Sequence, residues 1–171
     1  MTKTISLLKI VDDTIVDGPG FRTSIYAAGC SHRCKGCHNP HSWEVGNGTI
    51  HSVDEVIARV LANPLSNVTF TGGDPFFQAG SFIHIAKAVK STSSKTIWCY
   101  TGYLFEDLLK DSQFTELLSY IDVLVDGPFE LEKRDLSLLF RGSSNQRLIN
   151  VPESLSAGSV VLLDYKPYPS F

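Results

Sequence analysis

Three of the four cysteines lie within eight consecutive residues of the segment Gly29–Pro40, with the spacing C-x3-C-x2-C. Three thiolates at this spacing can hold one metal centre from three sides and leave one coordination position open. An iron–sulfur cubane ordinarily takes four thiolates. A cubane held only by Cys30, Cys34 and Cys37 therefore has one iron that can bind another ligand, and chemistry can take place there.

Three other kinds of site are compatible with the same residues. The run Cys34–His38 fits the C-x-x-C-H signature of c-type haem attachment, but that attachment requires export, and we find no export signal. A structural zinc site could use the three cysteines and His38, although zinc sites usually draw their ligands as two separated pairs. A C-x-x-C redox pair would leave Cys30 without a role. Spacing by itself does not decide between the open cluster and these alternatives.

Composition indicates one globular domain that spans residues 1–171, because 43% of the residues are hydrophobic and only 19% are charged. The net charge of −3 gives no electrostatic case for binding nucleic acid or an anionic membrane. Neither a signal peptide nor an apolar run of about 18 residues is present. Together with the four cysteines, this predicts a cytoplasmic protein with reduced thiols. Cys99 lies in an apolar run, so we expect a small buried hydrophobe there.

The hydrophobic pattern predicts an α/β fold in which strands alternate with helices, as parallel strands joined by right-handed crossovers do. Predicted strands cover residues 5–11 (an edge strand), 23–26, 68–70, 96–100 and 121–125. Predicted helices cover residues 53–62, 82–89 and 105–118, the last one broken near Asp111. Residues 129–171 form a less regular C-terminal extension, in which Val160–Leu163 is predicted to be a final strand.

Polar residues follow successive predicted strands: the cysteine loop, Gly72-Gly73-Asp74, Thr101 and Asp126. The carboxyl ends of parallel strands meet on one face, so we expect these residues to converge. Eight βα units would need about 250 residues. The chain is shorter, which favours a partial, open (β/α) barrel with mostly parallel strands.

Five further motifs, in a fixed order between Val16 and Gln146, resemble a known family. They are Asp17-Gly18-Pro19-Gly20-Phe21-Arg22, Gly72-Gly73-Asp74-Pro75, Trp98-Cys99-Tyr100-Thr101-Gly102-Tyr103, Asp122-Val123-Leu124-Val125-Asp126-Gly127 and Arg141-Gly142-Ser143-Ser144-Asn145-Gln146. With the cysteine spacing, they resemble the radical S-adenosylmethionine (SAM) enzymes and, among these, the glycyl-radical-enzyme activases. The resemblance is closest to the activating enzymes of anaerobic (class III) ribonucleotide reductase.

This resemblance implies that the three clustered cysteines bind three irons of a [4Fe-4S] cluster of the radical SAM type. SAM would chelate the fourth iron through its methionine amino and carboxylate groups. Gly72, Gly73 and Asp74 would receive that amino group, since glycine lets backbone oxygens approach closely. A plain turn is the alternative role for these three residues.

The resemblance also assigns the remaining cofactor contacts. Gly36 and His38, which flank the last ligand Cys37, would contact the adenosyl part of SAM. Thr101 and Asp126 would hold the ribose, the carboxylate or a monovalent cation, although helix capping explains them equally well. No side chain is predicted to be catalytic, because the cluster and SAM carry the chemistry.

Two positions depart from patterns common in the wider family. Gly36 stands, as in the reductase activases, where many radical SAM enzymes have an aromatic residue that packs against adenine, so adenine must be held by something else. Pro128 stands where many activases have a lysine, so Arg141 or Arg147 would have to supply its charge. Arg22 and Arg141 could otherwise be ordinary surface or ion-paired arginines.

The implied reaction transfers one electron from the cluster to SAM and forms a 5′-deoxyadenosyl radical, which removes a hydrogen from a glycine of the partner. The expected partners are anaerobic ribonucleotide reductase and a small electron-donor protein such as flavodoxin, with no nucleic acid and no membrane. Three alternatives are an activase of the pyruvate formate-lyase type, a small-molecule radical SAM enzyme, and a zinc- or cluster-binding module without turnover.

Overall fold

A single seven-stranded sheet forms the centre of the computed structural model, which describes residues 3–165. The spatial order of the strands is β3-β1-β2-β4-β5-β6-β7, so the sheet is open. Strands β2, β4, β5 and β6 are parallel, whereas β1, β3 and β7 pair in antiparallel fashion. The strand bounds are β1 Thr4–Thr14, β2 Arg22–Ala27, β3 Thr49–Ser52, β4 Asn67–Gly72, β5 Ile97–Tyr100, β6 Val123–Asp126 and β7 Arg147–Asn150. The predicted α/β class is confirmed.

Helices alternate with the parallel strands and cover one face of the sheet. They are α1 Val53–Ala62, α2 Ala79–Thr92, α3 Phe105–Leu108, α4 Ser112–Leu118 and α5 Val151–Ala157. Their apolar residues share the main core with sheet residues such as Phe70, Cys99 and Leu124. A second cluster around Trp98, on the other face, includes residues from the C-terminal part of the chain. No helix within residues 3–165 has the length and apolarity that crossing a bilayer would require.

The helix ends follow local signals in the sequence. Ser52 and Glu55 form the predicted capping box at the start of α1, and the helix stops before Asn63. The predicted break near Asp111 is also confirmed. The Asp111 carboxylate accepts hydrogen bonds from two backbone N–H groups of α4, and this cap separates α4 from α3.

Two predictions about strands are wrong. Val160–Leu163 is not a strand, since only Leu162 forms an isolated bridge, which it makes with Ile149. The place beside β6 is taken by β7, and the chain after α5 is joined to β7 by two backbone hydrogen bonds, at Leu148 and Asn150. The first strand is not at the edge of the sheet either, because β3 pairs along its outer side.

Candidate functional site

The four predicted polar segments follow parallel strands that end at the same edge of the sheet. Strands β2 and β4 pair in register from Arg22 opposite Asn67 to Ala27 opposite Gly72. This register places the cysteine loop beside the turn that follows β4. The next strand contributes Thr101, whose hydroxyl donates to the Asp74 carboxylate at 2.9 Å. The expected convergence at the carboxyl edge is confirmed.

Backbone hydrogen bonds shape the cysteine loop. The N–H of Cys30 donates to the carbonyl of Trp43 at 3.0 Å, and the N–H of Cys37 donates to the carbonyl of Cys34 at 3.1 Å. Gly36 has a φ of 77°, in the left-handed region where a side chain would be strained. All three thiols of the loop are free and half-buried, whereas Cys99 is buried in the core.

The surroundings of Cys30 suit a thiolate that is held by cations. Burial raises the pKa of the Cys30 thiol, while backbone N–H groups of His32 and Arg33 donate to its sulfur and lower the pKa. The balance is a raised pKa, so a positively charged centre is what would hold the thiolate form. Burial raises the pKa of Cys99 well above its ordinary value, with no such donors to oppose it.

The described residues contain no preformed site for a single metal ion at the cysteines. Within residues 3–165, no three His, Cys, Asp or Glu side chains are gathered closely enough to hold one metal ion. A zinc ion would need its sulfur and nitrogen ligands within about 2.0–2.3 Å of one point. In a cubane each thiolate binds a different iron, so the sulfurs lie farther apart. The donor set of three free, half-buried thiols in one loop fits three irons of a [4Fe-4S] cluster.

The two glycines after β4 pack against the start of the cysteine loop. A Cβ on Gly73 would lie 2.4 Å from the carbonyl oxygen of Gly29, and one on Gly72 would lie 2.5 Å from the N of Ala27. The N–H of Asp74 also donates to the carbonyl of Gly29 at 2.8 Å. Glycine is thus required here for close backbone packing, quite apart from any contact with SAM.

Asp74 is the buried centre of a hydrogen-bond network. Its carboxylate accepts from the Thr101 hydroxyl and from the backbone N–H groups of Gly102 and Phe76, at 2.9–3.1 Å. The Nε2 atom of His32, a residue of the cysteine loop, lies 2.9 Å from Asp74 Oδ2. Our sequence analysis missed His32, and the signal that could have found it is its position between two candidate ligands.

Asp126 is completely buried and bound to protein groups. Its carboxylate caps α3 by accepting from the N–H of Phe105 at 2.8 Å, and it pairs with Arg147, whose Nε lies 2.9 Å from Oδ1. Arg147 also pairs with Glu106 at 2.8 Å. These two carboxylates raise the pKa of Arg147 above its ordinary value. The charge of Arg147 is therefore compensated by the carboxylates of Asp126 and Glu106.

Two predicted cofactor contacts lie at the outer surface of the cysteine loop. Gly36 and His38 are both exposed. A Cβ on Gly36 would lie 2.8 Å from Cδ1 of Leu131, which comes from the segment after β6. Leu131 thus occupies the space beside Gly36 that an aromatic side chain at this position would need.

The motif Asp17–Arg22 lies mostly away from the cysteines. Arg22 begins β2, whereas the cysteine loop follows the other end of that strand. Arg22 is buried and has no carboxylate partner among residues 3–165. It donates to Thr69 Oγ1 at 2.6 Å and to the carbonyl of Val68 at 2.7 Å, and it faces the Trp98 ring. Burial lowers its pKa to about 10. The expectation of a surface or ion-paired arginine is therefore wrong for Arg22.

Comparisons with known proteins point to a cluster-binding family. The model of a family described as a 4Fe-4S single cluster domain matches residues 16–149. A protein of Enterobacteria phage T4 is 37% identical over 139 residues, which cover 78% of this chain and 86% of the phage protein. Proteins of Haemophilus influenzae (35% identity, 83% and 96% coverage) and Vibrio cholerae (39% identity, 77% and 89% coverage) are similarly close. All three relatives bear the name anaerobic ribonucleoside-triphosphate reductase-activating protein.

Proposed function

This chain belongs to the family of anaerobic ribonucleoside-triphosphate reductase-activating proteins, and on that premise we propose that Cys30, Cys34 and Cys37 are its cluster ligands. It is a radical SAM activase whose cofactors are a [4Fe-4S] cluster and SAM. When bound, these cofactors supply the 5′-deoxyadenosyl radical that takes a hydrogen from a glycine of the anaerobic reductase. The observation that carries the ligand assignment is the loop of three free, half-buried thiols at the carboxyl edge of the parallel strands.

The protein's own residues hold and orient the cofactors. The bonds of the cysteine loop to Ser42 and Trp43 fix its path, and the glycines of the β4 turn bring that turn against it. We propose that Gly72, Gly73 and Asp74 line the SAM site through their backbone. The Asp74 side chain is already used within the protein, so its part is to fix the turn.

The remaining predicted contacts keep their proposed roles with SAM. Exposed Gly36 and His38 flank Cys37 on the side that a nucleoside could reach. Thr101 and Asp126 act mainly by fixing the ends of β5 and β6, since both side chains bind protein groups. The guanidinium of Arg147 compensates the negative charge of the buried Asp126 carboxylate.

The carboxyl edge of the parallel strands also bears on the type of fold and on where partners dock. We propose that the parallel strands β2, β4, β5 and β6 form the partial, open barrel of a radical SAM enzyme, with residues 129–171 as its C-terminal extension, of which residues 166–171 lie outside the described part of the chain. Exposed apolar side chains near the cysteine loop and the adjoining turns suit docking of the reductase, and they include Phe77, Leu104 and Leu131. A small electron-donor protein such as a flavodoxin would approach the half-buried cysteines. Four free cysteines suit a reducing compartment such as the cytoplasm.

The decisive experiment follows one hydrogen atom. The activase is reconstituted anaerobically with iron and sulfide and incubated with SAM, a reductant and anaerobic reductase that carries deuterium at the glycine α-carbon. We expect a glycyl radical by electron paramagnetic resonance and deuterium in the 5′-deoxyadenosine that is formed. Deuterium that stays in the reductase while a small molecule supplies the hydrogen would contradict the proposal.

A further inference from the structure

His32 connects the cysteine loop to the sheet through two of its groups. Its backbone N–H donates to the sulfur of Cys30. Its ring nitrogen Nε2 lies 2.9 Å from Oδ2 of Asp74, which is buried beyond the end of β4. A single residue therefore touches both a proposed cluster ligand and the buried network behind it.

The ring of His32 is held in place from several sides. Its side chain is only 17% exposed. The ring lies against the backbone of Gly102, where a Cβ would approach within 2.4 Å of it, and meets Tyr103 edge-on with 4.5 Å between the ring centroids. Nε2 approaches Asp74 without making an aligned hydrogen bond, so it is the close packing of the ring that sets how the loop sits on the sheet.

Asp74 keeps hydrogen-bond donors to its buried carboxylate even without His32. Its carboxylate keeps three other donors, which are the Thr101 hydroxyl and the N–H groups of Gly102 and Phe76. Burying a carboxylate without partners would be costly, but removal of the His32 ring does not create that situation. Removal of the ring therefore leaves no unpaired carboxylate in the interior.

We propose that His32 is a positioning residue for the cluster: its ring, packed against Gly102 and Tyr103 beside Asp74, holds the stretch of the loop between Cys30 and Cys34 in place on the sheet. This inference rests on the proposed ligand role of Cys30. Hydrogen bonds to the sulfurs help to set the reduction potential of an iron–sulfur cluster, because they stabilise its more negative, reduced form. Groups behind metal ligands also control how firmly the metal is kept.

The test compares three variants with the parent, in the absence of SAM and reductase. His32→Ala removes the packed ring, His32→Gln keeps a polar side chain that fills part of the same space beside Asp74, and Lys35→Ala is the matched control. Lys35 lies on the same loop, but its side chain is 82% exposed and pairs only loosely with Glu132, at 3.5 Å. Each protein is reconstituted anaerobically, and iron release to a chelator, the midpoint potential of the cluster and the melting temperature of the cluster-free form are measured.

We expect His32→Ala to bind its iron about 10 to 100 times less tightly than the parent, as is typical when a group behind a metal ligand is lost, and so to release iron to the chelator faster. Its midpoint potential should fall, while its cluster-free form should melt close to the parent. His32→Gln should recover part of both cluster properties, and Lys35→Ala should match the parent.

Three results would overturn the inference. If His32→Ala releases iron as slowly as the parent and has the same midpoint potential, the positioning role of His32 is refuted, while the ligand assignment stands. Equally fast release from Lys35→Ala would assign the effect to general loosening of the loop. A parent protein that assembles no cluster would overturn the ligand assignment as well, so failure of the two proposals can be told apart.

Discussion

Substitution of Gly73 by alanine separates two explanations for this glycine. The added Cβ would lie 2.4 Å from the carbonyl oxygen of Gly29 and 2.9 Å from that of Ser42, so both obstacles are backbone atoms. Ordinary contacts begin at 3.4 Å, and the two segments must therefore separate by about 1 Å, which is the scale at which overpacking is felt. The residue displaced on the other side, Gly29, directly precedes Cys30.

The expected cost combines two effects. Overpacking costs about 1–3 kcal/mol, and distortion of the bond from the Asp74 N–H to the Gly29 carbonyl costs about 1 kcal/mol more. A domain of this size loses roughly 2–4 °C in melting temperature per kcal/mol, so Gly73→Ala should melt some 4–16 °C below the parent. It should remain folded at room temperature, since domains have about 5–15 kcal/mol of stability.

Thermal unfolding of the cluster-free protein and the iron content after reconstitution measure these effects. The control is Gly46→Ala, because a Cβ on Gly46 meets no atom within 4 Å, and its stability should change by about 0.5 kcal/mol or less. We expect Gly73→Ala to lose both stability and iron relative to this control. If Gly73→Ala matches Gly46→Ala in both measurements and loses only SAM affinity, the glycine serves the ligand and the steric reasoning is refuted.

Two further predictions concern charges and thiols. Arg147→Ala leaves the buried carboxylate of Asp126 without its cation and should cost about 3 kcal/mol in denaturant unfolding near neutral pH, with Arg147→Lys losing less. Hydrogen bonds from Arg147 lower the pKa of Glu106 below its ordinary 4.5. The Arg147–Glu106 pair therefore stabilises the protein above pH 4.5, and this contribution is lost as the pH falls through the lowered pKa. The difference in unfolding free energy between the parent and Arg147→Ala should narrow in that range. A gap that stays constant at acid pH would contradict the pairing. Cys99→Ala should keep the reconstituted cluster and SAM cleavage, whereas Cys34→Ser should lose both; loss of the cluster in Cys99→Ala would overturn the ligand assignment.

Local patterns were sufficient for the main elements of the fold. The capping box at Ser52, the stop at Asn63-Pro64 and the break near Asp111 each depend on residues within a few positions of one another. The parallel strands were found because their buried residues are apolar and β-branched or aromatic. Strands β3 and β7 were missed, since each has four residues and so short a segment carries little periodicity.

The sequence by itself determined the chemistry that this protein can perform, because the spacing of Cys30, Cys34 and Cys37 and the polar residues after successive strands are properties of neighbouring positions. Only the tertiary structure decided which distant residues contact and support them. The contact of His32 with Asp74 joins residues 42 positions apart, and Arg147 reaches Asp126 across 21 positions. Such pairs depend on strand order and register, which leave no local signal in the chain. For the same reason Gly73 reads as a ligand-binding glycine in the sequence, and only the fold brings the backbone of Gly29 against it.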